Sequence, residues 1–237
     1  MGQTMHELTW HGHATFELVL GDGTRLLVDP FLENNPKATV GPEHFHDRLD
    51  YLLLTHGHFD HVEDAWGILE ATGATLISSF ELCSYAEKVR GHVNTHGMSI
   101  GGGYDFPFGR VKLTPALHGG ALDAEGGEGY TCPPSGFLIT LGAGGTRLYL
   151  AGDTALTTEF ELLSDRVDIA VLPIGDNFTM GPEDAARAAG MIKARVVIPA
   201  HYDTWPPIEQ DTEAFRALVE PRSAVVVLAP GEGYEFK

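Results

Sequence analysis

Thr55-His56-Gly57-His58-Phe59-Asp60-His61 places four side chains able to bind a metal ion directly after the apolar run Leu52-Leu53-Leu54. His56 and His58 stand two apart, so an extended backbone turns both rings to the same side. Asp60 and His61 begin a turn into a helix, where the chain changes direction and can face a second ion. Chance would produce such a pattern with a probability on the order of a few in a thousand, so a merely solvated polar loop explains it poorly. The chemistry available to such a cluster is metal-assisted hydrolysis, in which coordination lowers the pKa of water from about 15.7 to near 7.

A metal centre needs further donors, and three later positions offer them in similar settings. His118 follows Val111–Thr114 and Pro115-Ala116-Leu117, Asp153 follows Leu148-Tyr149-Leu150-Ala151-Gly152, and His201 follows Val196-Val197-Ile198-Pro199-Ala200. Each stands just past an apolar run, where a sheet can hold a ligand rigidly at the rim of the core. Five imidazoles and two carboxylates suit zinc first, with manganese, iron, cobalt and nickel compatible. Asp29, ending the run Arg25–Val28, and Thr55 are placed to hold the second nitrogen of a ligand histidine, or to serve only in turns. Asn177 and Thr179 precede a helix at Pro182 and would line the pocket or cap that helix. Phe178, Tyr202 and Trp205 would supply apolar walls or simply core, and His11 is read as structural. His6, His44, His46, His92 and His96 have no ligand spacing.

The elements that must position these residues are short. Runs of strand length recur at Thr15–Leu20, Arg25–Val28, Tyr51–Leu54, Ala74–Ile77, Val111–Thr114, Phe137–Leu141, Arg147–Leu150, Ile169–Leu172, Arg195–Ile198 and Ala224–Leu228. Several are apolar throughout, as strands covered on both faces should be. Gly21-Asp22-Gly23 predicts a hairpin turn. Helical patterns cover Glu63–Ala71, Glu81–Val89, Pro182–Ala194 and Thr212–Val219. Strands in blocks with helices between them predict two sheets packed face to face with helices outside. Thr24–Asp29 is faintly echoed by Thr146–Asp153. The Gly-rich segment Gly119–Ser135 is long enough to be a lid or binding loop.

Composition narrows the partners. The 237 residues fit one domain over 1–237, and 33 acids against 15 bases give a net charge of −18. Such a surface does not neutralise nucleic-acid phosphates, so no nucleic-acid partner is expected. No apolar run approaches the roughly 20 residues of a membrane span, so no membrane partner is expected either. Two cysteines make no disulfide framework and Met1–Trp10 lacks a basic-then-apolar leader pattern, which together predict a cytoplasmic location.

Taken with His118, Asp153 and His201 in that order, the central motif resembles the metallo-β-lactamase superfamily. Trp10-His11-Gly12-His13-Ala14-Thr15-Phe16 and the segment from Pro173 to Ala185 resemble a narrower branch of metal-dependent hydrolases near bacterial ascorbate-phosphate lactonases. The resemblance implies a four-layer αββα sandwich with a dinuclear centre. It implies that His56, His58 and His118 hold one ion, that Asp60, His61 and His201 hold the other, and that Asp153 bridges them. It also places His13 near the metals as a substrate or catalytic residue, with Asp60 and Asp153 orienting or accepting the water proton. Two divalent ions and two carboxylates leave a positive centre, suited to an anion or oxyanion although the protein is acidic.

The expected activity is therefore hydrolysis by a metal-bound hydroxide of a small, anionic ester, lactone or phosphodiester. The alternative is a non-catalytic metal sensor or storage protein of the same fold. Zinc-class lactamases commonly carry Cys where Asp153 stands, which argues against antibiotic hydrolysis. Analogy with the lactonases implies a homo-oligomer.

Overall fold

Parallel strands buried on both faces and one-sided antiparallel strands need different sequences, and both kinds occur here in fixed order. The computed structural model describes residues 5–142, 144–220 and 222–237. They form two compact units, one built from the chain up to residue 99 with 119–133 and 228–237, the other from 100–118 and 134–227.

The first unit contains β1 (His6–Trp10), β2 (Phe16–Val19), β3 (Arg25–Val28) and β4 (Tyr51–Leu53), followed by helices α1 (Phe59–Val62) and α2 (Ala65–Thr72). It continues with β5 (Thr75–Ser79), α3 (Phe80–Lys88) and β6 (Thr95–Met98). The second unit contains β7 (Gly103–Phe106), β8 (Gly109–Pro115), β9 (Ser135–Leu141), β10 (Arg147–Leu150), β11 (Ile169–Pro173), α4 (Pro182–Ile192), β12 (Val196–Ala200), α5 (Thr212–Val219) and β13 (Ala224–Val225). β14 (Gly233–Phe236) returns to the first sheet.

Each unit holds one seven-stranded mixed sheet, ordered β14-β1-β2-β3-β4-β5-β6 and β7-β8-β9-β10-β11-β12-β13. In both, the first four strands are antiparallel and the rest run parallel. The faint sequence echo thus falls on β3 and β10, the strands where each sheet changes from antiparallel to parallel, and each leads to an aspartate, Asp29 or Asp153. Leu52, Leu53, Leu76 and Ile77 on β4 and β5 are fully buried, as are all five residues of β11, in keeping with their continuous apolar character. The β2–β3 hairpin closes at Gly21-Asp22-Gly23, with Leu20 N–H donating to the Thr24 carbonyl at 2.8 Å and Gly23 at φ +87°.

Several boundaries differ from the sequence expectation. β1, β6, β7 and β14 lie outside the strand-like runs; β6, β7 and β14 are short edge strands, and most of the residues of β6 and β7 are at least partly exposed. The helix expected over Glu63–Ala71 is α2, which begins at Ala65 and runs to Thr72, and Asp64 at its N-cap position makes no side-chain capping bond. Its carboxylate instead accepts from the Leu32 and Glu33 N–H groups at 2.6 and 3.2 Å. The run Ala224–Leu228 is strand only to Val225. α4 stops at Ile192, and Lys193 caps it in the left-handed region at φ +56°. Among the described residues no helix is long and apolar enough to cross a membrane.

The segment 119–133 is docked rather than loose. An isolated bridge joins Ala121 and Thr131, Asp123 N–H donates to the Gly57 carbonyl at 2.8 Å, and Leu122 and Cys132 are buried in the first unit's core. A Cβ on Gly57 would stand 2.8 Å from the Ala121 carbonyl oxygen and 3.0 Å from both Cys132 Sγ and Leu122 Cα. Gly57→Ala must therefore shift backbone, and urea melts should show a loss of about 1–3 kcal/mol. Burial pushes the Cys132 thiol up to about 11 and the Cys83 thiol up to about 12. Both should resist iodoacetamide at pH 8 in the folded protein and react once urea unfolds it.

Charge is also buried beside β2. Glu17 accepts from Arg25 Nε at 2.8 Å and pairs with His11 Nε2 at 3.3 Å. Burial alone would raise the Glu17 carboxyl, but the bonds from His11 and Arg25, with their charges, outweigh it and hold it below its usual value. A folded-state pKa below the unfolded one means stabilisation that is present above the unfolded value and lost as pH falls through the folded one. Glu17→Gln should therefore cost about 1–3 kcal/mol at pH 7, with the gap to wild type closing between pH 5 and pH 3 in urea melts.

Candidate metal centre

In the first unit His56 and His58 stand in the turn after β4, and Asp60 and His61 on helix α1 directly behind it. Leu53 passes the chain to Thr55, and Asp29 leaves β3 in the left-handed region at φ +46°, its N–H donating to the Leu53 carbonyl at 3.0 Å. This brings the Asp29 carboxylate under the motif. Oδ1 accepts from the Thr55 N–H at 2.8 Å, while Oδ2 accepts from Thr55 Oγ1 at 2.6 Å and from His61 Nδ1 at 2.8 Å.

Those bonds dictate tautomers. An ionised carboxylate only accepts, so the proton of His61 sits on Nδ1 and its Nε2 presents a lone pair. Thr55 gives its single proton to Asp29, so its contact with His56 Nδ1 at 3.0 Å requires the imidazole to donate. His56 Nε2 is then a lone-pair nitrogen too, and it lies 3.0 Å from His58 Nδ1. A carboxylate that fixes histidine tautomers in this way is the usual support behind metal-binding imidazoles. His13 Nε2 meets Asp60 Oδ2 at 2.9 Å, and ligand atoms of His13, Asp60 and His61 lie within 4.8 Å of one another. His13 is fully buried at φ +53°, a conformation uncommon outside glycine, and Trp10 Nε1 donates to its carbonyl at 3.0 Å.

The second unit supplies its own group. Asp153 Oδ2 lies 3.5 Å from His118 Nε2 and 3.1 Å from His201 Nε2, so one carboxylate oxygen serves two imidazoles from different loops. His201 leaves β12 at φ +54°. Asp153 and His201 are buried, whereas His118, like His58 in the first unit, is partly exposed and marks an accessible side. Imidazoles, with the tautomers of His56 and His61 fixed, and carboxylates beside them fit a divalent transition metal in both charge and donor type.

The other residues singled out in the sequence divide. Asn177 is exposed and in the left-handed region, and Thr179 donates to the Met180 carbonyl at 3.2 Å. Neither caps the following helix, whose N-cap is Gly181 without a side-chain bond. Tyr202 is buried, while Phe178 is half exposed and so no part of the core. His92 is occupied with the carbonyls of Ala74 and Asn94. The close pairing of His13 with Asp60 is absent from the sequence reading, which placed His13 near the metals without naming its partner. The positive φ at His13 falls on a residue type that tolerates it better than most, but nothing local singles out this histidine.

The family described as the beta-lactamase superfamily domain matches residues 24–202. The chain belongs to the metallo-β-lactamase superfamily. Within it, a UPF0173 metal-dependent hydrolase of Exiguobacterium sp. is 46% identical over 231 residues, covering 93% of this chain and 99% of that protein. Another from Heliobacterium modesticaldum is 47% identical over 239 residues, with 96% of each chain covered. Igni18, a metallo hydrolase of the hyperthermophilic archaeon Ignicoccus hospitalis, is 32% identical with a TM-score of 0.86, and the match covers 99% of both chains. The chain is thus a metal-dependent hydrolase of the metallo-β-lactamase fold, the αββα sandwich expected from its motifs.

Proposed function

We propose that His56, His58 and His118 hold one divalent ion, that Asp60, His61 and His201 hold a second, and that Asp153 serves both. Zinc is the first candidate and manganese the next. The observation that carries this reading is the relay from Asp29 through Thr55 and His61, which puts the ring proton of His56 and His61 on Nδ1 and turns Nε2 of each towards the other donors. Such ions supply Lewis acidity, lowering the pKa of water from about 15.7 towards 7 and stabilising an oxyanion. The chain's own residues do the rest. Asp60 and Asp153 orient the attacking water and accept its proton, and His13, bonded to Asp60, steadies that carboxylate.

The substrate class is a small, anionic ester, lactone or phosphodiester; the lactonase likeness of the flanking segments belongs to this reading. A positive centre in a protein of net charge −18 attracts such an anion locally while the surface disfavours nucleic acid. The two units act as one catalytic domain, cytoplasmic and self-associating. Zinc- or manganese-loaded protein should hydrolyse members of a panel of lactones, esters and phosphodiesters at least about 10²-fold faster than His58→Ala. Two bound metals by elemental analysis, with no turnover above that variant, would refute the proposal.

A further inference from the structure

Two large apolar side chains of the second unit are exposed on the loops that carry or adjoin its candidate ligands. Leu117 precedes His118 and is 64% exposed, and Phe178 is 52% exposed. Both are held firmly. Leu117 N–H donates to Thr154 Oγ1 at 3.0 Å and its carbonyl accepts from Ala155 N–H at 3.0 Å, tying it to the residues after Asp153. Phe178 rides a turn in which Asp176 and Asn177 are both left-handed, at φ +61° and +46°. That turn is closed by Asp176 N–H to the Met180 carbonyl at 3.0 Å, and by the Phe178 and Thr179 N–H groups to the Asp176 carbonyl. Met180 N–H in turn donates to the Thr154 carbonyl at 3.0 Å, so Thr154 fastens both loops. At the other end Gly175 lies against the His201 carbonyl so closely that a Cβ there would collide with it.

Non-glycine residues persist in left-handed conformations where their surroundings hold them, and such strain gathers at working sites. Ligand sites combine a few polar groups with apolar walls, and exposed apolar surface beside them has a use. Leu117 and Phe178 therefore stand on backbone tied to the segments that carry His118, Asp153 and His201, and both present hydrocarbon to solvent. We infer that Leu117 and Phe178 are specificity determinants that seat an apolar alkyl or aryl substituent of the substrate. The substrate is then amphiphilic, with an anionic, hydrolysable head and a hydrocarbon arm. The inference rests on the hydrolytic reading above for the position of the head.

The test is isothermal titration of n-alkylphosphonates, methyl to octyl, into the zinc-loaded full chain. Kd should fall about two- to fourfold for each added methylene. In Leu117→Ser and Phe178→Ser, and most in the double variant, that slope should flatten. Leu162→Ser, which removes a side chain 66% exposed elsewhere in the same unit, should keep the wild-type slope. A flat wild-type series, no binding of any phosphonate, a double variant with unaltered slope, or equal flattening by Leu162→Ser would each overturn the inference. Turnover of the ester panel judges the hydrolytic reading separately. Hydrolysis with a flat slope discards the apolar seat alone, whereas Kd falling along the series without hydrolysis keeps the seat as a binding feature and discards the hydrolytic reading with the substrate drawn from it.

Discussion

Asp153→Ala will remove more metal and more activity than any other single change outside the central motif. Its Oδ2 lies within 3.5 Å of nitrogens from both His118 and His201, so the substitution strips a negative charge from two imidazoles at once. Elemental analysis should show metal content falling at least by half relative to wild type, and kcat/KM should fall on the order of 10³-fold. Asp153→Cys provides the discriminating control. A thiolate is a good zinc ligand with the same charge, so it should recover metal content and part of the zinc-dependent activity. If Asp153 only shaped the turn after β10, Cys would rescue no better than Ala.

Asp29→Asn should have the next largest effect, although Asp29 is not itself a proposed ligand. The carboxylate accepts three bonds, from the Thr55 N–H, Thr55 Oγ1 and His61 Nδ1. An amide has one acceptor oxygen and a donor group, so at least one of these donors would face another donor across a buried contact. His61 would be driven to the other tautomer, its proton moving to Nε2 where the ligand lone pair is needed. Metal affinity, measured by chelator competition, should fall about 10–100-fold. Thermal or urea unfolding of the metal-free protein should show a loss of about 1–3 kcal/mol from the unsatisfied buried donor. Intact affinity in a stable Asp29→Asn variant would show that the relay does not set the tautomer.

Features that depend on neighbours along the chain are legible in the residues themselves. The central motif is legible because its four donors follow one buried strand. The parallel strands β4, β5, β11 and β12 are legible because burial on both faces writes continuous apolar runs. Gly21-Asp22-Gly23 names its hairpin, and Pro182 with two acids names the start of α4. Asp29 and Thr55 could be named as candidates, but as turn residues equally well.

Tertiary structure alone decided what those candidates do. Asp29 meets Thr55 across 26 residues and His61 across 32, and His13 meets Asp60 across 47. Such meetings depend on strand register, since a slip of one residue would turn each side chain to the opposite face. Edge strands such as β6 and β7 carry little apolar signal because they pair and bury on one side only. The left-handed backbone at His13, Asp29 and His201 falls on residue types that tolerate it, but which of the chain's many His and Asp residues adopt it is decided by contacts made far away in the chain.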